Sequence, residues 1–229
     1  QNKKHNGYKG VYSYLDRTDV DLQVELPYVF PKKDNGRYAI KNQSNFEKIP
    51  GGIIGYWLTP NLINAFTRGE SLKQEGDTRQ GMATSDNNRF LRFWHETSFD
   101  KNGFNCENAT DAVSTNKKWF PYNKGGGFRK WYGNNEYLIN YENDGQEVKD
   151  YAYSLYQSVT RTIKSISEYF KPCISWSKVT GGNIAFRFYP QGYIFDVAGC
   201  CIFFQKPQLM NYYFAFLNGE TSTIKKFTF

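Results

Sequence analysis

The residue types most suited to chemistry in this sequence lie between positions 117 and 133. Lys117, Lys118, Lys124, Arg129 and Lys130 alternate there with Trp119, Phe120, Tyr122, Phe128, Trp131 and Tyr132 around Gly125-Gly126-Gly127, and no acid occurs from 117 to 132. Cations supply contacts to an anionic polymer, rings supply stacking faces, and glycines let a backbone approach closely. Two readings fit this composition. One is a polyanion-binding segment; the other is a hairpin whose rings pack inward while its lysines are merely solvated. A second acid-free stretch, 169–195, adds Lys171, Lys178 and Arg187.

Other constellations fall short of a reaction. The triple glycine lacks the spacing and the Lys-Ser/Thr of a phosphate-binding loop, and it does not match the dinucleotide fingerprint. Glu147-Val148-Lys149, with Asp144 ahead of it, mimics the acid-x-Lys element of a metal-dependent nuclease. Such a site needs a further acid from a neighbouring strand, so a chance triplet at a helix entry is the better reading. His95-Glu96 are adjacent, and adjacent residues on a helix point apart. Cys106, Cys173, Cys200 and Cys201 contain no C-x-x-C pair, and His5 and His95 lie outside ligand spacing. No metal site is expected, and Cys200 and Cys201 read as buried thiols of a reducing cytoplasm.

The elements that must position these residues are read from periodicity and punctuation. Residues 26–30 suit a short strand, followed by the Asn35-Gly36 turn signal. Thr59 can cap a helix with Pro60 at its first position and Gly69 at its end, with Leu62, Ile63 and Phe66 on one face. Ser85-Asp86 offer caps for a second helix carrying Phe90, Leu91 and Trp94, with Arg89 and Arg92 facing outward. Residues 99–116 read as loop and 136–143 as a strand ending in an Asn143-Asp144-Gly145 turn. The strongest helical pattern covers 150–170, where Ala152, Leu155, Val159, Ile163, Ile166 and Phe170 recur at steps of three and four. Strands are expected at 184–189, 193–197 and 200–205, and a closing helix at 209–217. The fold class is α+β: a single domain with a twisted, mostly antiparallel sheet and a few helices, spanning 48–229 after a polar lead-in at 1–47.

Bulk composition sets the limits. At 229 residues, 18% aromatic and with a mean hydropathy of -0.69, the chain is a folded domain whose rings cannot all be hidden. A net charge of +7 suits a polyanionic partner without demanding one. No apolar run reaches the length of a membrane span, and no signal peptide is visible. A chain running from Gln1 to Phe229 without an initiating Met reads as an excised part of something longer.

The stretch Lys124-Gly125-Gly126 running into Phe128-Arg129-Lys130-Trp131-Tyr132-Gly133-Asn134 resembles a signature of the adenine-specific DNA methyltransferases of BREX phage defence (PglX type). Related segments occur in type IIG restriction–modification enzymes. Lys48-Ile49-Pro50-Gly51, Ile54-Gly55-Tyr56-Trp57 and Thr84-Ser85-Asp86-Asn87-Asn88-Arg89-Phe90-Leu91-Arg92-Phe93-Trp94-His95-Glu96 are similar to the family's run before it. Ile174-Ser175-Trp176-Ser177, Arg187 and Gly192-Tyr193-Ile194-Phe195-Asp196 resemble the run after it. The ending at 212–218 is similar to a helix closing a target-recognition domain, so the likeness covers about residues 48–218 in the family's order.

The resemblance implies a division of labour. An upstream domain binds S-adenosylmethionine and flips an adenine for methylation at N6; this C-terminal region chooses the sequence of double-stranded DNA. Phe120-Pro121-Tyr122 lacks the leading Asn or Asp and the first Pro of the adenine-holding motif, so no catalytic residue and no cofactor is assigned within the chain. Its expected partners are DNA and the methyltransferase domain of the same parent, in the cytoplasm, with no membrane. Lys117, Lys118, Lys124 and Lys130 are assigned to phosphates. Arg129 suits a phosphate or a guanine edge. Lys178 and Arg187 are assigned to the opposite wall of a cleft, and Arg89 and Arg92 are added as weaker contacts. Trp131, Tyr132 and Trp176 are stacking candidates, with core packing favoured for each. The rival classes are a glycan-binding domain with aromatic platforms, which predicts little salt dependence, and a nuclease on Glu147 and Lys149, which requires a divalent metal.

Overall fold

The computed structural model describes residues 7–34, 36–180 and 183–219. His5, Asn35 of the Asn-Gly turn and the two chain ends lie outside the described residues. The chain divides into two compact units, 1–71 and 72–229. It is α+β, with antiparallel pairing dominant.

In the first unit β1 (Lys9–Ser13) pairs antiparallel with β4 (Tyr38–Asn42), and β2 (Val20–Asp21) pairs with β3 (Leu26–Pro27). The strand expected at 26–30 is thus two residues long, ending as the chain reaches Pro27 and Pro31, neither of which can donate to a ladder. The helix α1 (Pro60–Arg68) forms as expected: the Leu62 amide donates to Thr59 Oγ1 at 3.3 Å, and the Gly69 amide closes the last turn on Ala65. Among the described residues, Phe46, Ile49, Leu58 and Ile63 are the buried apolar side chains of this first unit.

The second unit carries two four-stranded sheets. One has the order β10 (Phe186–Tyr189), β9 (Cys173–Ser177), β12 (Gly199–Phe204), β5 (Gly76–Arg79), all antiparallel. The other has the order β11 (Ile194–Phe195), β7 (Trp119–Asn123), β8 (Tyr137–Asn140), β6 (Leu91–Phe93), with only β11–β7 parallel. Helices α2 (Asn87–Phe90), α3 (Ala109–Ser114), α4 (Glu142–Tyr156) and α5 (Met210–Asn218) complete it.

The main core gathers Phe90, Phe120, Tyr122, Ile139, Val148, Ile163, Phe170 and Cys201, while Ile174, Trp176, Phe186, Cys200, Ile202 and Leu217 form a second cluster. Strand alternation explains the division. Cys173 joins the main core and Ile174 and Trp176 the second, just as Cys201 and Cys200 part company on β12. All four cysteines are free, buried thiols.

Three expectations need correcting. The helix expected over 150–170 ends at Tyr156, where Gln157 takes a left-handed conformation and its amide caps on Tyr153. The residues that follow are Ser, Thr and Val, poor helix formers whose side chains compete for backbone groups. Val159 and Ile163 still reach the core through separate turns, whereas Leu155 is exposed. The helix expected from Ser85 onward lasts one turn, capped by Asp86, before residues 91–93 pair with β8 and satisfy their backbone there. The loop expected over 99–116 contains α3, capped by Asn108 Oδ1 accepting from the Asp111 amide. No helix among the described residues is long and apolar enough to cross a membrane.

Candidate nucleic-acid interface

The cationic residues divide by what holds them. Lys124 is fixed from below: its Nζ lies 2.6 Å from Asp196 Oδ2 and 3.2 Å from Asn87 Oδ1. Asp196 is buried and also accepts from the Tyr122 hydroxyl at 2.7 Å and the Ala198 amide at 2.7 Å. Lys124 therefore compensates an interior carboxylate, a role that competes with the phosphate contact expected of it. Lys130 Nζ donates to the Asn218 carbonyl at 3.0 Å, at the negative end of α5. Lys117 Nζ donates to the Asp100 carbonyl. Lys118 lies 3.9 Å from Glu142 and against the Trp119 ring. Arg89 pairs with Glu147 at 2.9 Å, and Arg92 donates to the carbonyls of Asn88 and Leu91 beside Trp119. Lys149, of the nuclease-like triplet, is paired with Asp144 at 2.6 Å. Among the described residues, no group of three His, Cys, Asp or Glu side chains could hold a metal ion.

Arg129 and Lys178 are different. Both are exposed, and neither forms an ion pair among the described residues. They flank, in sequence, an open cleft of about 650 Å³ lined by Gly126, Gly127, Phe128, Ser177, Val179, Thr180, Asn183 and Ala198. Lys178 sits between two lining residues, and Arg129 follows a third.

Sequence local to the glycines explains why the cleft exists. Gly125 (φ 77°) and Gly126 (φ 126°) occupy angles that side-chain-bearing residues avoid, and a Cβ on Gly125 would sit 2.7 Å from the Ala198 carbonyl oxygen. The main chain can therefore press against β12. Downstream, the basic loop is tied to the edge of β10: the Trp131 amide donates to the Phe186 carbonyl at 2.9 Å, and the Phe188 amide returns to Trp131 at 3.0 Å. The inward packing expected of a hairpin holds for only some of these rings. Phe120 and Tyr122 are buried in β7, while Phe128, Trp131 (49% exposed) and Tyr132 (69%) project. Core packing, favoured for all three ring candidates, holds for Trp176 and fails for Trp131 and Tyr132. Burial leaves Trp176 no face for stacking on a ligand.

Arg187 departs most from expectation. It is 1% exposed, so it cannot line an outer wall. The alternation of β10 places it on the same face as Tyr189, across the register from Ser175, while Phe186 turns to the second core cluster. Its Nη2 donates to Ser177 Oγ at 3.0 Å, and that hydroxyl donates to the Gly126 carbonyl at 2.7 Å. Its Nε has no hydrogen-bond partner, and it forms no ion pair among the described residues. It borders a narrow inner recess of the same cleft, between Ser177, Asn183 and the glycines.

Sequence comparison then places these residues in a lineage. Over 232 residues the chain is 34% identical to the adenine-specific methyltransferase PglX of Lacticaseibacillus casei (strain Zhang), an alignment covering 97% of this chain and 19% of that protein. The chain is homologous to part of the PglX methyltransferases. Over 173 residues it is 35% identical to the adenine-specific methyltransferase BrxX of Escherichia coli O9:H4 (strain HS), covering 75% of this chain and 13% of that one. The chain thus spans under a fifth of the length of either relative. No family model matches it. The PglX-type resemblance drawn from the motifs at 48–218 holds across nearly all of the chain rather than at one signature.

Two parts of the site carry no signal in the order of residues. Ser177 and Asn183 are ordinary residues until the sheet brings them beside Gly126 and Gly127, and the burial of Arg187 depends on which strands cover it.

Proposed function

We propose that this chain recognises double-stranded DNA for an adenine-N6 DNA methyltransferase of phage defence or restriction–modification. Its Gly126–Asn183 cleft and the adjoining basic loop would form the DNA-facing surface. The observation that carries this reading is the cleft itself: among the described residues it has no acidic lining, two exposed cations without ion-pair partners follow or interrupt its lining in sequence, and a buried guanidinium lies beneath it. In such a surface lysines and arginines meet phosphates, and the exposed rings of Trp131 and Tyr132 offer sequence-tolerant apolar faces. Methyl transfer, and with it S-adenosylmethionine, belongs in this reading to a methyltransferase domain of the same parent, which would hold the other side of the duplex. The exposure of Trp131 and Tyr132 also suits the rival glycan-binding reading, which differs in its salt response.

The test is a salt titration of the chain against a random-sequence duplex pool, with sequencing of the retained DNA. Retention that weakens steeply with salt and enriches one short motif is the expected outcome. Salt-insensitive retention on glycans, with none on DNA at low salt, would overturn the proposal in favour of its rival.

A further inference from the structure

The basic cleft has a floor whose chemistry is more specific than a positive surface. Arg187 is a full charge taken out of water, yet no carboxylate pairs with it among the described residues. A buried ion without a counter-ion is strongly unfavourable, so its retention needs a compensating partner. The acid nearest in sequence to the lining, Asp196, is already occupied by Tyr122, Lys124 and the Ala198 amide. Two carbonyls of the glycine loop are already engaged within the chain: that of Gly126 accepts from Ser177 Oγ, and that of Gly127 accepts from Asn134 Nδ2 at 3.0 Å. The amides of Gly126, Gly127 and Phe128 meet no acceptor among the described residues. Successive backbone N–H groups beside a glycine of positive φ, together with an unsatisfied guanidinium N–H, form a set of donors with no acceptor. That pattern selects an oxyanion over a neutral ligand or a cation.

We propose that the open cleft at the mouth of the Arg187 recess, lined by Gly126, Gly127, Ser177 and Asn183, is an oxyanion site that seats one phosphate group of the bound DNA. The assignment to DNA rests on the function proposed above; the oxyanion site itself does not. One phosphodiester fixed over the Arg187 guanidinium would set the register of the duplex against Arg129 and Lys178 without reading a base.

The experiment has two arms, both on the 229-residue chain. In the first, inorganic phosphate is titrated at constant ionic strength against chloride, and binding is followed by calorimetry and by melting temperature. In the second, the salt dependence of duplex binding is measured. Two variants accompany the wild type. Arg187→Met removes the charge, and Gly127→Asp places a carboxylate in the cleft at a position whose Cβ meets nothing within 4 Å.

Wild type should be stabilised by phosphate beyond chloride, and both variants should lose about tenfold or more in phosphate affinity. Arg187→Met should melt no lower than wild type when phosphate is absent, because it relieves an uncompensated charge. A purely structural arginine would instead lose stability on this change. The slope of log affinity against log salt should fall by about one in each variant. Should Arg187→Met fail to fold, Gly127→Asp still decides both arms. Equal response of wild type to phosphate and chloride would overturn the oxyanion site. Phosphate binding with an unchanged salt slope in the variants would overturn the assignment to DNA and leave a site for free phosphate. Phosphate binding by a wild type that retains no duplex would overturn DNA recognition while supporting the oxyanion site.

Discussion

Lys124 and Arg129 lie five residues apart in one basic run, but their surroundings give them opposite consequences. Lys124 faces the interior carboxylate of Asp196, whose side chain is 2% exposed. Replacing it with Met strands a buried charge, which costs about 3 kcal/mol. Urea unfolding of Lys124→Met should therefore show a clear loss of stability; a wild-type midpoint would contradict the compensating role. Arg129 and Lys178 carry no such duty. Their Ala variants should keep the wild-type melting temperature and each reduce the salt slope of DNA binding by about one. A loss of stability in either would mean that an interior partner holds them.

Elements of this fold are shaped by residues in left-handed conformations at their ends. Gly125 needs both its positive φ and its missing Cβ to lie against Ala198, whereas Gly127 has open space and an ordinary φ. Gly125→Ala should destabilise by more than about 1 kcal/mol, while Gly127→Ala should be neutral or slightly stabilising. The pair is a controlled comparison within one tripeptide, and equal effects would refute the account of the loop. Helix α4 ends at Gln157 with φ 52°, a conformation that costs a residue with a Cβ about 1 kcal/mol. Gln157→Gly should accordingly stabilise the chain in thermal unfolding, and a marked loss would show that the Gln157 side chain does more than close the helix.

Across the second unit, the abundance of aromatic residues becomes a property of the interior. Tyr122, Tyr141, Tyr169 and Tyr189 are all buried, and burial is the first cause raising each phenol above its usual 10.0. A raised folded-state value means that the unfolded chain gives up these protons first. Their contribution is complete below pH 10 and is lost as the pH climbs beyond it. In an alkaline titration, part of the phenolate absorbance should appear only as near-ultraviolet circular dichroism reports loss of the fold. Complete, reversible ionisation with the fold intact would contradict the packing described. The raised thiols of Cys106, Cys173 and Cys200, also due first to burial, predict slow alkylation of the native protein near neutral pH.

Much of this was legible in the chain alone, because it depends on neighbours in sequence. Thr59-Pro60 with Gly69 marked α1, the apolar runs beyond Pro172 marked β10, β11 and β12, and the motif order from residue 48 to 218 disclosed the PglX relationship. Periodicity also found Val159 and Ile163 as core residues. It misjudged their conformation, because spacing reports which side chains are buried and not the backbone path between them. The fate of each cation was decided only by the tertiary structure. The second acid-free stretch ends just before Asp196, and nothing local links that carboxylate to Lys124, 72 positions away; the parallel pairing of β11 with β7 joins the two. Arg187 looks like any surface arginine on an alternating strand until the sheets close over it. Burial and electrostatic pairing are sums over residues distant in the chain, and no local pattern encodes them.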